Sequence, residues 1–574
     1  MATIAATGAA PAPTEREDKG LKSGALGLAS SIIIAVSSTA PAYSLAAALG
    51  VVVVVVNFQS PAVIVLAFIP MFLVAVAFRE LNRSEPDCGT TFTWATRAFG
   101  HKVGWMGGWG IIAADVIVMA NLAAIAGSYL FSFFGLSSLA SSTFWVTLAG
   151  VAFIILMTWV AYRGIEVSAR VQMALLAVEL TMLAIFAIAA LVQVYSGHGA
   201  VDANGHALSI SPSWSWFNPF QVGDFGALIA GLLVATFIYW GWDSAMSVNE
   251  ETEDATRTPG LAVVIATLIL LLTFAVVAVA AQAFAGVGNK DIGLANPANT
   301  ADVISGLGTA VFGGSALGGV MAKLLVLMVV SSTAASCQTT IMPTARASLS
   351  MAAFKAIPDR FARIHPRYLT PTWSTVGMGI VSIVFYVVLT IISKNILTDT
   401  IASLGLMIAF YYGLTGFAAT WYYRGVLTRS ASDMLNKGVM PLLGGLFLAG
   451  MFIYGLKYYA DPGNTTTHTP AIFGHSIGGV AVIGVGTLLL GVVLMFIYQA
   501  IRPDFFRGET LTKATVLEVI GASRPDAALR VPDASSQEAL IVPPDPEVSG
   551  LSEEEIAQVA HRASPGEPPD PKPE

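Results

Sequence analysis

Charge is scarce in this chain. Only 11% of its 574 residues are Asp, Glu, Lys or Arg, against about 25% in a soluble protein. That excludes an ordinary water-soluble domain. Cysteine is almost absent. Cys88 and Cys337 stand far apart, which excludes a disulfide framework and a cysteine-based metal cluster. Cys88 is expected in a loop and Cys337 in a span, both as free thiols. The seven histidines are scattered without ligand spacing, so no metal centre, no cofactor and no enzyme built on one is expected. A phosphate-binding glycine loop of the Walker type is missing, which argues against ATP drive. No pattern suggests the charged or carbonyl rings of a channel. The start of the chain shows no signal-peptide pattern, so the first span is expected to direct insertion. With a net charge of −7, no nucleic acid partner is expected either.

What is present is apolar. Hydrophobic residues make up 55% of the chain and mean hydropathy is +0.71. A membrane-crossing helix takes about 20 apolar residues, so the composition implies an all-α integral membrane protein with about twelve spans in a lipid bilayer. The spans fall at roughly 24–49, 51–78, 103–134, 142–162, 168–195, 225–249, 260–285, 317–345, 372–393, 399–423, 439–459 and 473–500. Residues 1–22 and 501–574 read as disordered arms. Between them, 23–424 forms a core of ten spans and 425–500 adds two more. A short interfacial helix is expected between Thr90 and Phe99.

Lys and Arg set the orientation. Loops on the side of the termini carry Arg79, Arg83, Arg97 and Lys102, the run from Arg346 to Arg367, and Arg424 to Lys437. The opposite loops carry only Lys290, Lys394 and Lys457. Both termini are therefore expected in the cytoplasm, with the chain in the cell membrane.

Two spans carry an interruption near mid-depth. In the first it is Ser37-Ser38-Thr39-Ala40-Pro41-Ala42; in the sixth it is Phe237-Ile238-Tyr239-Trp240-Gly241-Trp242-Asp243. Backbone that leaves the helix inside a bilayer survives only when buried in protein or lining a cavity. The two interruptions lie five spans apart, and an odd offset inverts one half relative to the other. Inverted repeats with paired broken helices point to an alternating-access transporter.

Three segments carry a resemblance. The first runs from Tyr239-Trp240-Gly241-Trp242-Asp243 through Glu250-Glu251 to Arg257-Thr258-Pro259. The second is Arg346 to Met351 with Pro358, Phe361, His365-Pro366-Arg367 and Thr370-Pro371. The third is Cys88-Gly89-Thr90-Thr91-Phe92-Thr93-Trp94 to Phe99-Gly100. Together they resemble the amino acid–polyamine–organocation superfamily of permeases over about residues 24–500. The resemblance implies a leucine-transporter-like 5+5 inverted repeat and uptake of amino acids coupled to H⁺ or Na⁺. Organic amine or polyamine uptake and amino acid exchange remain the alternatives. It also implies that spans five and eight approach the first span near a cation site. The chain departs from that pattern twice. Its first-span break has Ser37 to Pro41 where many members have Gly-Ser-Gly, and Glu179 stands where many carry a lysine.

These breaks define the candidate substrate residues. N–H groups at a half-helix start favour a carboxylate, and carbonyls at a half-helix end favour an ammonium. Ser38, Thr39, Ala40 and Ala42 supply the first pole, Phe237 and Tyr239 to Gly241 the second, and Trp240 and Trp242 shape or occlude the pocket. Glu179 lies in an otherwise apolar span, where burial disfavours its charge. It can carry a proton, or stay ionised beside Na⁺ or a substrate amine. With the hydroxyls of Ser332 and Thr333 it forms the expected coupling site. Asp115 either faces a cationic group or pairs with Lys323. Asp243, Glu250, Glu251 and Arg257 are expected in gating or secondary roles, the last three at a salt-bridge gate outside the hydrocarbon.

Overall fold

The structure is a computed structural model and describes residues 19–202, 204–297, 303–392, 396–470, 476–514 and 516. Among these the regular elements are helical; the only pairing of extended backbone is a few isolated bridges such as Leu26 with Thr252. Ten stretches are long and apolar enough to cross a membrane. The first, Leu28–Ser84, turns back at Asn57 and holds two crossings. The interrupted segment of Phe225–Ile238 and Ser244–Ser247 completes twelve.

The first span is Leu28–Thr39 followed by Pro41–Val56. Its break follows from sequence. Pro41 lacks an N–H and suits only the first turn of a helix, so the chain restarts there. Ala40 makes the corner in left-handed backbone, φ 49°, which costs an alanine about 1–2 kcal/mol. The break in the sixth span turns on Gly241, φ 120°.

Two expected boundaries move. The six valines Val51–Val56 end the first span instead of opening the second, which is Ser60–Ser84. An unbroken apolar run carries no signal for where it turns, and the turn is made at Asn57, φ 55°. Span eight runs Ala316–Ala353. Arg346 therefore sits inside a helix, not in a basic loop.

Neither arm is loose where it is described. Lys19 is buried against Asp87 and Glu250. Beyond the twelfth span, Pro503–Arg507 is helical and buries Phe505. The segment then docks at the start of the third span, the short helix Thr91–Phe99 and the end of span eight: His101 Nε2 bonds the Leu511 carbonyl at 2.5 Å, Arg97 donates to Thr512 O, and Thr510 donates to Phe354 O. Short apolar anchors in polar sequence hid this docking. The rest of both expected arms lies outside the described residues. Lys19 over Phe354, Phe354 against Phe92, and Phe92 against Phe505 bring both ends of the described chain to one face.

Candidate functional site at the two helix breaks

The two interruptions touch. A Cβ built on Gly241 would lie 2.7 Å from the carbonyl oxygen of Ser38, so only glycine fits. The hydroxyls of Ser38 and Ser244 are 2.6 Å apart. The two breaks are thus held together by a side-chain bond as well as by close backbone packing.

Glu179 of span five (Ile165–Tyr195) reaches this junction. Its Oε1 accepts the N–H of Ala42 at 2.7 Å and the hydroxyl of Ser332 at 2.7 Å. The N–H of Tyr43 donates in turn to Ser332 Oγ at 3.2 Å. One carboxyl therefore ties spans one, five and eight together at the start of a half-helix, where the dipole favours negative charge. Ser336 adds a bond to the Ser38 carbonyl, 3.1 Å. Thr333 does not join Glu179. Its hydroxyl donates to the carbonyls of Val329 and Val330 on its own helix, the usual fate of a helical threonine. Thr39 likewise bonds back to Ala35 O.

Five buried side-chain atoms around the breaks find no hydrogen-bond partner among the described residues. They are Ser37 Oγ, Glu179 Oε2, Thr236 Oγ1, Tyr239 OH and Trp242 Nε1. Buried polar groups are nearly always satisfied; these five lie beside the broken backbone, and others lie elsewhere, such as Trp105 Nε1 and Tyr129 OH.

The aromatics of the sixth break divide in role. Trp242 is fully buried between Phe78 and Tyr412. Tyr239 packs edge-on against Phe274. Trp240 donates to the Tyr411 hydroxyl, which donates to Asp243 Oδ2 at 2.9 Å. Phe237 meets Tyr43 edge-to-face, centroids 6.1 Å apart, and Tyr43 donates to Asn121 at 2.5 Å. Asp115 accepts from Thr344 at 2.6 Å. That is not the Lys323 pairing considered from sequence, because Lys323 lies about six turns from Thr344 along the same helix.

On the face that holds the termini the site is shut. Lys19 Nζ lies 2.7 Å from Asp87 and 2.6 Å from Glu250. Asp87 Oδ1 also accepts from Gly89 N, Thr93 and Ser350. Burial alone would lower the Lys19 ammonium, but Asp87 foremost and Glu250 outweigh it and hold the group well above its ordinary value. Burial pushes Asp87 up, while Lys19 and the Ser350 and Thr93 hydroxyls hold it below the usual carboxylate value. Glu251 forms a fully buried, two-bond pair with Arg346, at 2.9 and 3.0 Å. Arg257, the partner expected for these acids, is exposed, with its backbone N–H on Asp254. Lys19, Asp87 and Tyr411 were not singled out in the sequence, and Arg346 was named only as a loop residue. Lys19 looked like part of a polar arm and Arg346 like one more loop cation.

On the opposite face lies a cavity of about 920 Å³, lined by Ala47, Asn121, Val234, Tyr386, Asp399 and Tyr459 among others. Tyr43 and Phe237 sit one turn nearer the breaks on the helices of Ala47 and Val234.

A profile described as amino acid permease matches residues 26–504. The chain belongs to this permease family. A transporter of Mycobacterium tuberculosis strain H37Rv is 25% identical over 435 residues, covering 75% of this chain and 82% of the relative. The low-affinity putrescine importer PlaP of Escherichia coli K12 is 21% identical over 409 residues, 70% of this chain and 82% of the importer. Among solved structures, MhsT in complex with L-phenylalanine superposes with a TM-score of 0.50 at 15% identity, covering 73% of this chain and 98% of that one. The permease is thus a multi-pass secondary transporter of small molecules with the leucine-transporter-like fold and helices one and six broken.

Proposed function

We propose that this permease takes up a small solute bearing an amino group, an amino acid or an amine, across the cell membrane by alternating access, with its termini in the cytoplasm. Uptake is coupled to an ion at Glu179. The observation that carries this reading is the bond set of Glu179 Oε1, which joins the Ala42 N–H and the Ser332 hydroxyl across three spans. A proton or metal ion arriving at that carboxyl weakens its hold on the half-helix, so ion occupancy and helix geometry are linked. A proton fits better than Na⁺, because the Thr333 hydroxyl is turned to its own helix and the carboxyl keeps few oxygen companions. The relatives support both solute types: one imports putrescine and one solved neighbour binds L-phenylalanine.

The solute enters from the 920 Å³ cavity and settles at the breaks, against Ser38, Thr39, Ala40, Phe237, Tyr239, Trp240 and Gly241. Tyr43 and Phe237 close over it. Release toward the cytoplasm requires Lys19 to leave Asp87 and Glu250. The solute leaves this cycle chemically unchanged, as expected of a transporter.

The test is reconstitution of the full chain in liposomes, with labelled amino acids and amines and an imposed pH or Na⁺ gradient. Accumulation above equilibrium that collapses with a protonophore supports proton coupling, and dependence on a Na⁺ gradient identifies Na⁺ instead. Uptake that only equilibrates under both gradients overturns ion coupling.

A further inference from the structure

We propose that the transported solute is an organic amine without a carboxylate, because Glu179 already occupies the place where a substrate carboxylate would dock. The inference rests on the transport reading above and narrows its substrate class.

A bound carboxylate needs free N–H groups or a cation. In a broken-helix site the N–H groups come from the start of a half-helix. At the first restart they are all committed. Pro41 has none. The N–H of Ala42 is on Glu179 Oε1 at 2.7 Å, and that of Tyr43 is on Ser332 Oγ at 3.2 Å. The N–H of Ser44 is already on the Ala40 carbonyl at 2.8 Å. The short half-helix Ser244–Ser247 after the second break is committed as well. Ser244, Ala245, Met246 and Ser247 donate to Gly241 O, Trp242 O, Asp243 O and Asp243 O. The chain therefore spends its own carboxyl on the pole that an amino acid would need.

Charge points the same way. Glu179, Asp243 and Asp115 are all buried. Among the described residues none of them forms an ion pair with Lys or Arg. The buried cations are committed elsewhere, Arg346 to Glu251 and Lys19 to Asp87 and Glu250. A solute carboxylate would enter among buried carboxyls with no cation to receive it, which is unfavourable at low dielectric. An ammonium meets the reverse: carboxyls without counter-charge, and the aromatic rings of Tyr43, Phe237, Tyr239 and Trp240. An amine satisfies the site as built, and its parent amino acid does not.

The experiment uses matched pairs that differ by the carboxylate alone: putrescine and ornithine, agmatine and arginine, phenethylamine and phenylalanine, isobutylamine and valine. Each is measured for binding to the purified full chain and for uptake into liposomes. In at least one pair the amine is expected to bind about tenfold or more tightly than the amino acid. An amino acid that binds as well as or better than its amine in every responding pair overturns the inference and leaves the transport reading intact. No response from any compound overturns the transport reading itself. Glu179→Ala vacates the Ala42 N–H, so its ratio of amine to amino acid affinity is expected to fall by about tenfold. An unchanged ratio in a folded variant also counts against the proposal. If that variant does not fold, the wild-type pairs decide alone.

Discussion

At position 241 a side chain has nowhere to go. Gly241 has φ 120° and its missing Cβ would press on the Ser38 carbonyl. Gly241→Ala is expected to cost about 1–3 kcal/mol from backbone strain and to abolish uptake, read as a lower Tm and lost transport together. The tryptophans separate packing from function. Trp242 and Trp105 are both buried, so truncation of either to Ala should cost about 3–5 kcal/mol. Trp105 stacks on Trp109 and packs with Tyr498 away from the breaks. Transport by folded protein is therefore expected to fall steeply for Trp242→Ala and little for Trp105→Ala. Equal losses in normalised uptake would remove the special standing of the sixth span. At this scale the sequence was readable where a residue broke its local pattern: a carboxyl at 179 in an apolar run, a glycine between tryptophans at 241. It was unreadable where the partner lay far along the chain. Asp115 bonding Thr344, Arg346 bonding Glu251 and Thr333 turning back on its own helix depend on helix rotation and depth, which composition does not fix.

Among elements, the segment before the first span acts as a latch. Lys19 holds the loop after span two to the end of span six, and Cys88 is buried beneath it with its sulfur 3.7 Å from Lys19 Nζ. Lys19→Met is expected to loosen this face. With Cys337 replaced by Ser, alkylation of Cys88 from the side that holds the described ends of the chain should then quicken about tenfold or more. An unchanged rate would show that Lys19 does not bar the path. The latch also has a defined pH window. Asp87 is depressed, so its contribution is present above the ordinary carboxylate range and is lost as pH falls through its lower folded value. Lys19 is raised, so its contribution is present below the ordinary lysine value and is lost only as pH rises past its higher folded value. Cys88 protection is therefore expected to stay flat from about pH 5 to about pH 9, checked by alkylation at matched thiolate concentration. The breaks in spans one and six were legible from Pro41 and Gly241. The turn after Val56 was not, because valine after valine offers no capping or turn residue until Asn57.

The described chain has an ion-paired face on one side of the two touching breaks and a cavity on the other. The segment after the twelfth span belongs to the closed face. Phe505 and Leu511 are buried, and Phe505 stacks on Phe92 at 5.3 Å. Ending the chain after residue 502 is expected to lower Tm by several degrees and to expose Phe92, whereas ending it after residue 516 should leave Tm unchanged. Matched losses would place the anchor beyond the segment described here. The helical fold and the transporter class could be read from hydropathy and the odd offset between breaks. The ordered ends could not, since a few apolar anchors in polar sequence resemble a linker.

The account stands or falls on Glu179 as the link between ion and helix. The direct measurement compares wild type with Glu179→Gln in liposomes, for exchange of labelled solute at equal concentration on both sides and for accumulation under a pH or Na⁺ gradient. Exchange is expected to persist in the variant while gradient-driven accumulation falls to the equilibrium level. Full accumulation by Glu179→Gln would contradict it.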